Sequence, residues 1–207
     1  MDVSYSRMAV LDLLDAFASA SPVPGGGSAA ALAGAVGTSL LVMVAGMEKT
    51  RSDVPEETAD LAEAAARLRA LQEALAALID RDSASYDAVV TAYRLPKSTP
   101  VEQQLRRVAI DATTHDATVV PLETAQACRS ALREAVVVAR AGYRKAISDV
   151  GVAIELLLAG LRGAALNVEA NVTSLRDADF VRRALEECGQ LKAQAEADAG
   201  ESRRWLA

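Results

Sequence analysis

Apolar residues recur at helical spacing along almost the whole chain, and no stretch shows the strict alternation of a half-buried strand. Val10, Leu11, Leu13, Leu14 and Phe17 give a short amphipathic helix between Met8 and Ala18. The run Ser21-Pro-Val-Pro-Gly-Gly-Gly-Ser28 stops it, and its glycines free the backbone for unusual φ. Ser28 is placed to cap a second helix reaching Met47. Thr50 to Pro55 is a polar break, with Pro55 suited to a first helical turn. From Glu56 to Arg94 the helical period is continuous, with Leu61, Ala65, Leu68, Leu71, Leu75, Leu78 and Ile79 on one face. A kink is expected at Asp82-Ser83, and Leu95-Pro96 ends the run. Thr99-Pro-Val-Glu102 reads as a capping box that starts a helix to about Val120. Pro121 is read as the opening of the next helix, to about Ala141. After a junction from Gly142 to Ile147, Ser148 or Asp149 caps a helix to Val172, and Asp177 caps a last one to about Ala199. The pattern predicts an all-α fold of about seven helices with no sheet. Its short loops make an antiparallel bundle, a single domain over 1–207 with a polar tail over 199–207.

Composition sharpens this. The chain of 207 residues is 51% hydrophobic but only 3% aromatic, and alanine fills roughly a fifth of it. That favours close-packed helices over a β-sandwich, and it excludes disorder, a disulfide scaffold and a collagen-like fibre. The formal net charge is -6, with no basic run, which argues against nucleic acid as a partner. Cys128 and Cys188 are far apart and read as reduced core thiols. His115 is the one histidine, and no metal-ligand spacing occurs. Asp2, Asp12 and Asp15 do not suit the basic start of a signal peptide, so a cytoplasmic location is expected. Ser28 to Met47 carries no charge over about the length of a membrane span. It lacks an aromatic belt, and Ala30, Gly34 and Thr38, or Ala33 and Gly37, let another backbone approach. No second span accompanies it. A buried bundle helix is expected, with no membrane.

Four places carry candidate chemistry. The Pro24-Gly25-Gly26-Gly27-Ser28 loop offers N–H groups and a positive helix end to an anion; the alternative is a flexible link. It is neither a Walker A loop nor a GxGxxG fingerprint. In the group Asp80, Arg81, Asp82 and Tyr86, the last two share a helix face, and Asp82 falls beside Leu78 and Ile79 on the side that turns inward. A carboxylate there is either partly solvated or needs a partner or a task. Ser148-Asp149 reads as a helix cap or as a site. Asn167 and Asn171 are two amides one turn apart on an otherwise apolar helix and want hydrogen-bond partners. Arg162 and Arg176 read as solvated charges.

Taken in order, these segments resemble the formiminotetrahydrofolate cyclodeaminase and methenyltetrahydrofolate cyclohydrolase family. The resemblance runs from about Leu11 to about Asp179. The Ser21–Ser28 loop with its small-residue helix is similar to the family's N-terminal signature. Leu78-Ile-Asp-Arg-Asp-Ser-Ala-Ser-Tyr86 with Leu95-Pro-Lys-Ser-Thr-Pro100 is similar to its middle motif. Val120-Pro-Leu122, Ser148-Asp149-Val150 and Leu166-Asn-Val-Glu-Ala-Asn171 follow in the family's order. Each alone is unspecific; the series carries the resemblance.

The resemblance implies a helical homodimer binding a reduced folate between helices. It implies closure of the formimino compound to 5,10-methenyltetrahydrofolate with loss of ammonia, or addition of water to the methenyl compound. No metal and no cofactor beyond the tetrahydrofolate substrate is implied. A methenyl-folate is a delocalised cation, so Asp82 and Asp149 are the catalytic candidates. The anionic glutamate tail suits the glycine loop, Arg51 and Lys97, while Tyr86, Ser148, Asn167 and Asn171 are further substrate-binding candidates. Two positions depart from the family pattern. Thr50-Arg51-Ser52 keeps one of two customary bases, and Tyr143 stands where asparagine is common. They leave open a folate-binding or assembly module of the same fold without turnover.

Overall fold

The computed structural model describes residues 3–50 and 54–206, and among them no strand occurs. There are six α-helices: α1 (Val10–Ala18), α2 (Gly26–Ala45), α3 (Pro55–Tyr93), α4 (Pro100–Ala141), α5 (Ile147–Val172) and α6 (Ala178–Arg203). Short 3-10 turns, Tyr5–Arg7 and Arg144–Ala146, precede α1 and α5. Helices α2 to α5 form a ring in which each packs on the next and α5 closes on α2. Neighbours in the ring are antiparallel. Ser28 meets Ile79 and Gly34 faces Leu75, while Arg67 meets Glu134 and Arg81 meets Glu123, so α3 runs against both α2 and α4. Helix α6 packs on α4 and α5, held by Arg162–Glu196, Lys192–Glu169 and Arg203–Glu155 on the α5 side.

The helix count differs from the seven expected because α4 runs unbroken through Pro121 for 42 residues. A proline in a helix interior removes an i→i−4 bond and crowds the carbonyl four residues back, at a cost of about 3 kcal/mol. Here the displaced carbonyl, Ala117 O, accepts a bond from Asn171 Nδ2 of α5 at 2.8 Å. The proline itself is buried. Helix α3 likewise passes Asp82-Ser83 without interruption.

The end signals divide. Thr99 and Glu102 make the expected capping box, Pro55 opens α3, and Asp177 accepts from Phe180 N at 3.0 Å. Ser28 does not cap α2, which begins at Gly26 with Gly25 at its N-cap. Ser148 and Asp149 do not cap α5, which starts one residue earlier at Ile147. The expected polar tail is largely helix: α6 reaches Arg203, Ser202 is buried, and Leu206 packs on the core. On α1 only Leu13 is buried, while Val10, Leu11 and Leu14 face outward.

Helix α2 is long and apolar enough to cross a membrane by length and composition, yet 56% of that stretch is buried inside the protein. It meets α5 nearly backbone to backbone. A Cβ on Gly160 would stand 2.8 Å from Ala30 O, and one on Gly37 would stand 2.9 Å from Ala153 O. Cys128 Sγ fills the same seam, 2.6 Å from where a Gly34 Cβ would lie. Both cysteines are free and buried, and burial pushes the Cys128 thiol up to about 12. The α3–α4 hairpin is longer than its neighbours, about 58 Å against about 30 Å for α2 at the helical rise. Its tip is exposed.

Candidate active site

A cleft of about 410 Å³ opens where the start of α2 meets the last third of α3, the first half of α4 and the last turns of α5. The volume is in the range of small-molecule sites. Gly25, Gly26 and Gly27 form one wall, with Pro22 and Val23 before them. Asp82, Ser85, Tyr86, Val89 and Tyr93 come from α3, Thr114 and Ala117 from α4, and Asn167, Ala170, Asn171 and Ser174 from α5 and the turn beyond it.

Asp82 lies against the first turn of α2. A Cβ on Gly27 would fall 2.0 Å from Asp82 Oδ1, so only glycine leaves room for the carboxylate. Ser28, wholly buried behind it, points its Oγ at Asp82 Oδ2 (3.0 Å) and Ile79 O (2.9 Å) and lies 3.1 Å from Ser83 Oγ. Burial raises the Asp82 pKa, and the Ser28 hydroxyl and N–H only partly offset it. The carboxylate is thus the anion that answers the positive end of α2. The glycines act here through their missing side chains: among the described residues no glycine has a positive φ. Unusual φ, the sequence-based expectation, is not used.

The group around Asp82 is split by its neighbours on the helix. Asp80 turns away to hold the N-terminal turn, accepting from Ser6 Oγ at 2.6 Å and Ser4 Oγ at 2.9 Å. Those hydroxyls and nearby N–H groups outweigh its burial and lower its pKa. Arg81 pairs with Glu123. Tyr86, one turn beyond Asp82, remains on the cleft wall.

The two asparagines reach the cleft with defined polarity. Asn167 Nδ2 donates to Gly163 O at 2.9 Å and Asn171 Nδ2 to Ala117 O at 2.8 Å. Both partners are carbonyls, which only accept, so each amide must offer one N–H there, leaving its Oδ1 and a second N–H outside that bond.

Other sequence-based candidates lie elsewhere. Pro24 is buried and Ser28 stands behind Asp82, so neither lines the cleft. Lys97 is exposed at the tip of the α3–α4 hairpin and does not line it either. Arg51, with its neighbour Ser52, lies outside the described residues. Ser148 and Asp149 sit in the first turn of α5, and Asn167 sits near its end. The helical rise separates Asp149 from Asn167 by about 27 Å, so the chain does not bring Asp82 and Asp149 together. Tyr143 packs on the core at that same far end.

The sequence reading missed Thr114, whose buried Oγ1 has no hydrogen-bond partner, and Tyr93, over whose ring Arg106 stacks at 5.3 Å. Neither carries a local signal; Thr114 looks like any threonine inside a helix. A second groove of similar volume lies between α3 and α4 near Arg67, Arg129 and Arg133. Arg67 is paired with Glu134 and Glu63 there, and Arg129 faces Asp198. Among the described residues no group of three or more His, Cys, Asp or Glu is placed to share a metal ion.

Residues 9–190 match the formiminotransferase-cyclodeaminase family. The methenyltetrahydrofolate cyclohydrolase of Methylorubrum extorquens is 40% identical over 182 residues, covering 88% of each chain. The rat formimidoyltransferase-cyclodeaminase is 31% identical over 86% of this chain, which spans 33% of that longer protein. The crystal structure of formiminotetrahydrofolate cyclodeaminase from Thermotoga maritima superposes with a TM-score of 0.85 over 97% of this chain and 96% of the other, at 22% identity. It shares the fold. With the family match spanning nearly the whole bundle and every wall of the cleft, this chain belongs to the formiminotransferase-cyclodeaminase family.

Proposed function

We propose that this protein is a folate one-carbon enzyme acting on the 5,10-methenyl and 5-formimino forms of tetrahydrofolate, first of all as a methenyltetrahydrofolate cyclohydrolase. The observation that carries this reading is Asp82, a half-buried carboxylate of raised pKa on the cleft wall. The methenyl bridge is a delocalised cation, and a carboxylate in a partly dehydrated cleft attracts it more strongly than one in water. A raised pKa makes Asp82 a better proton carrier near neutral pH. It would take the proton of the attacking water, or return one to departing ammonia in the deaminating direction. The likeness to the cyclohydrolase over most of both chains favours water as the reactant.

The pterin would lie against Gly25 and Gly26, where missing side chains leave room for a flat ring beside the carboxylate seated on Gly27, with the two asparagine amides at its edge. Because Asp82 already answers the α2 end, the glutamate tail falls to rim bases such as Arg106 beside Tyr93. No cofactor beyond the folate is proposed, nor any nucleic-acid or membrane partner. The unpaired cysteines suit a cytoplasmic location. A homodimer is also proposed. In its support, α2 carries no charge, yet Val36 and Met43 are 43% and 42% exposed, and Val152 and Leu166 on α5 are exposed as well.

The test is incubation with methenyl- and formimino-tetrahydrofolate, following methenyl absorbance and ammonia. Turnover of the methenyl compound is expected, and Asp82→Asn should lower kcat about 100-fold or more while folate still binds. Full activity in that variant would remove Asp82 from the chemistry. Binding without turnover of either compound would make the protein a folate-binding module.

A further inference from the structure

The cleft has a wall whose backbone hydrogen bonding is incomplete by construction. Helix α4 contains Pro121, which has no N–H, so the bond normally made from residue 121 to Ala117 O is absent. The ring also pushes that carbonyl off the helix axis. Ala117 lines the cleft, and its carbonyl accepts from Asn171 Nδ2, 54 residues away in the chain. One turn earlier, Thr114 also lines the cleft with an unpartnered Oγ1.

We infer that Pro121 is a positioning residue for ligand recognition. By freeing the Ala117 carbonyl it fixes the Asn171 amide in one orientation, with Oδ1 as a hydrogen-bond acceptor toward the cleft. Deleting the N–H of residue 121 and supplying the N–H of Asn171 are two halves of one device. A free asparagine amide presents donor or acceptor with similar ease. This one cannot turn over without setting its oxygen against the Ala117 oxygen and orphaning a carbonyl at the cleft wall. Asn167 is held in the same sense by Gly163 O. The α5 wall therefore holds two Oδ1 acceptors of fixed orientation about one helical turn apart, each beside the second N–H of its own amide, and it suits a ligand edge that donates N–H groups to the oxygens. On the folate reading, on which this inference rests for its ligand, that edge is the N–H-bearing edge of the reduced pterin.

The device predicts an unusual pairing of effects. Pro121→Ala restores the helical N–H and draws the Ala117 carbonyl back to the axis. It removes the helix-interior penalty of proline, so the protein should be no less heat-stable than the parent. Yet it releases the amide, and KM for methenyl-tetrahydrofolate should rise about 3- to 10-fold with kcat nearly unchanged, the worth of one hydrogen bond. Pro121→Val, which also restores the N–H but keeps more of the buried volume, should behave alike. In an Asn171→Ala background, Pro121→Ala should have no further effect on KM, because the proline acts through that amide.

The decisive measurements are steady-state kinetics of this double-mutant cycle and NMR of the ligand-free protein. The Asn171 side-chain amide should be shifted and slow to exchange in the parent and free in Pro121→Ala. An unchanged amide signal in that variant, an unchanged KM, or additive effects in the cycle would each overturn the inference. So would loss of the fold in both proline variants, since Pro121 would then serve packing. If the parent protein bound neither folate, the folate reading would fail on its own, and the amide signal would still decide whether Pro121 sets Asn171.

Discussion

Asp82 is a carboxylate held where burial works against its charge. Its raised pKa means the native state binds the proton more tightly than the unfolded chain does. The stability it contributes is therefore fully present below the unfolded pKa and is lost as pH rises through the folded value. Asparagine at this position does not ionise and escapes that loss. Asp82→Asn is thus expected to unfold at a higher temperature than the parent above the titration, with the gap closing below it. Thermal unfolding across a pH series checks this; a variant less stable at every pH would mean that the bonds from Ser28 outweigh the burial. Gain of stability with loss of turnover is the signature of a charge retained for chemistry. In the sequence, Asp82 was legible as an inward-facing carboxylate. That Asp80 and Arg81 beside it serve structure was not legible, because their partners Ser4, Ser6 and Glu123 lie far off in the chain.

Among the elements, α2 and α5 depend on residues too small to keep them apart. A Cβ on Gly160 would meet Ala30 O at 2.8 Å and Gly34 N at 3.1 Å, both backbone atoms that cannot swing aside. Gly160→Ala should cost about 2 kcal/mol, seen as a fall in Tm of about 4–8 °C. A Cβ on Gly189 of α6 would meet nothing within 4 Å. Gly189→Ala should raise stability by about 0.5–1 kcal/mol, through helix propensity alone. Opposite signs for the same substitution in two helices separate seam packing from propensity; equal signs would deny the seam. The small-residue stripe was visible in the sequence as a surface for close approach. Its partner, the middle of α5, was not.

At the scale of the molecule, the bundle has two ends, and the cleft occupies one of them. Asp149 and Ser148 belong to the other, as does Tyr143. If the outer face of α2 joins two copies, sedimentation should give a dimer, and Val36→Glu should give a folded monomer. A monomeric parent protein would remove that face from the assembly.

Periodicity and composition by themselves determined the helices, the antiparallel order and the cap at Thr99, because these rest on interactions between residues a few positions apart. They also marked Asp82 as a carboxylate on the side that turns inward, Tyr86 on the same helix face, and Asn167 and Asn171 as two amides wanting hydrogen-bond partners. Only the tertiary structure decided that α4 continues through Pro121, since the amide that replaces its lost bond comes from Asn171 on another helix. It alone placed Asp149 about 27 Å along α5 from the cleft. It also turned the glycine loop from an anion cradle into a seat for Asp82, because the charge that answers a helix end is set by what packs there.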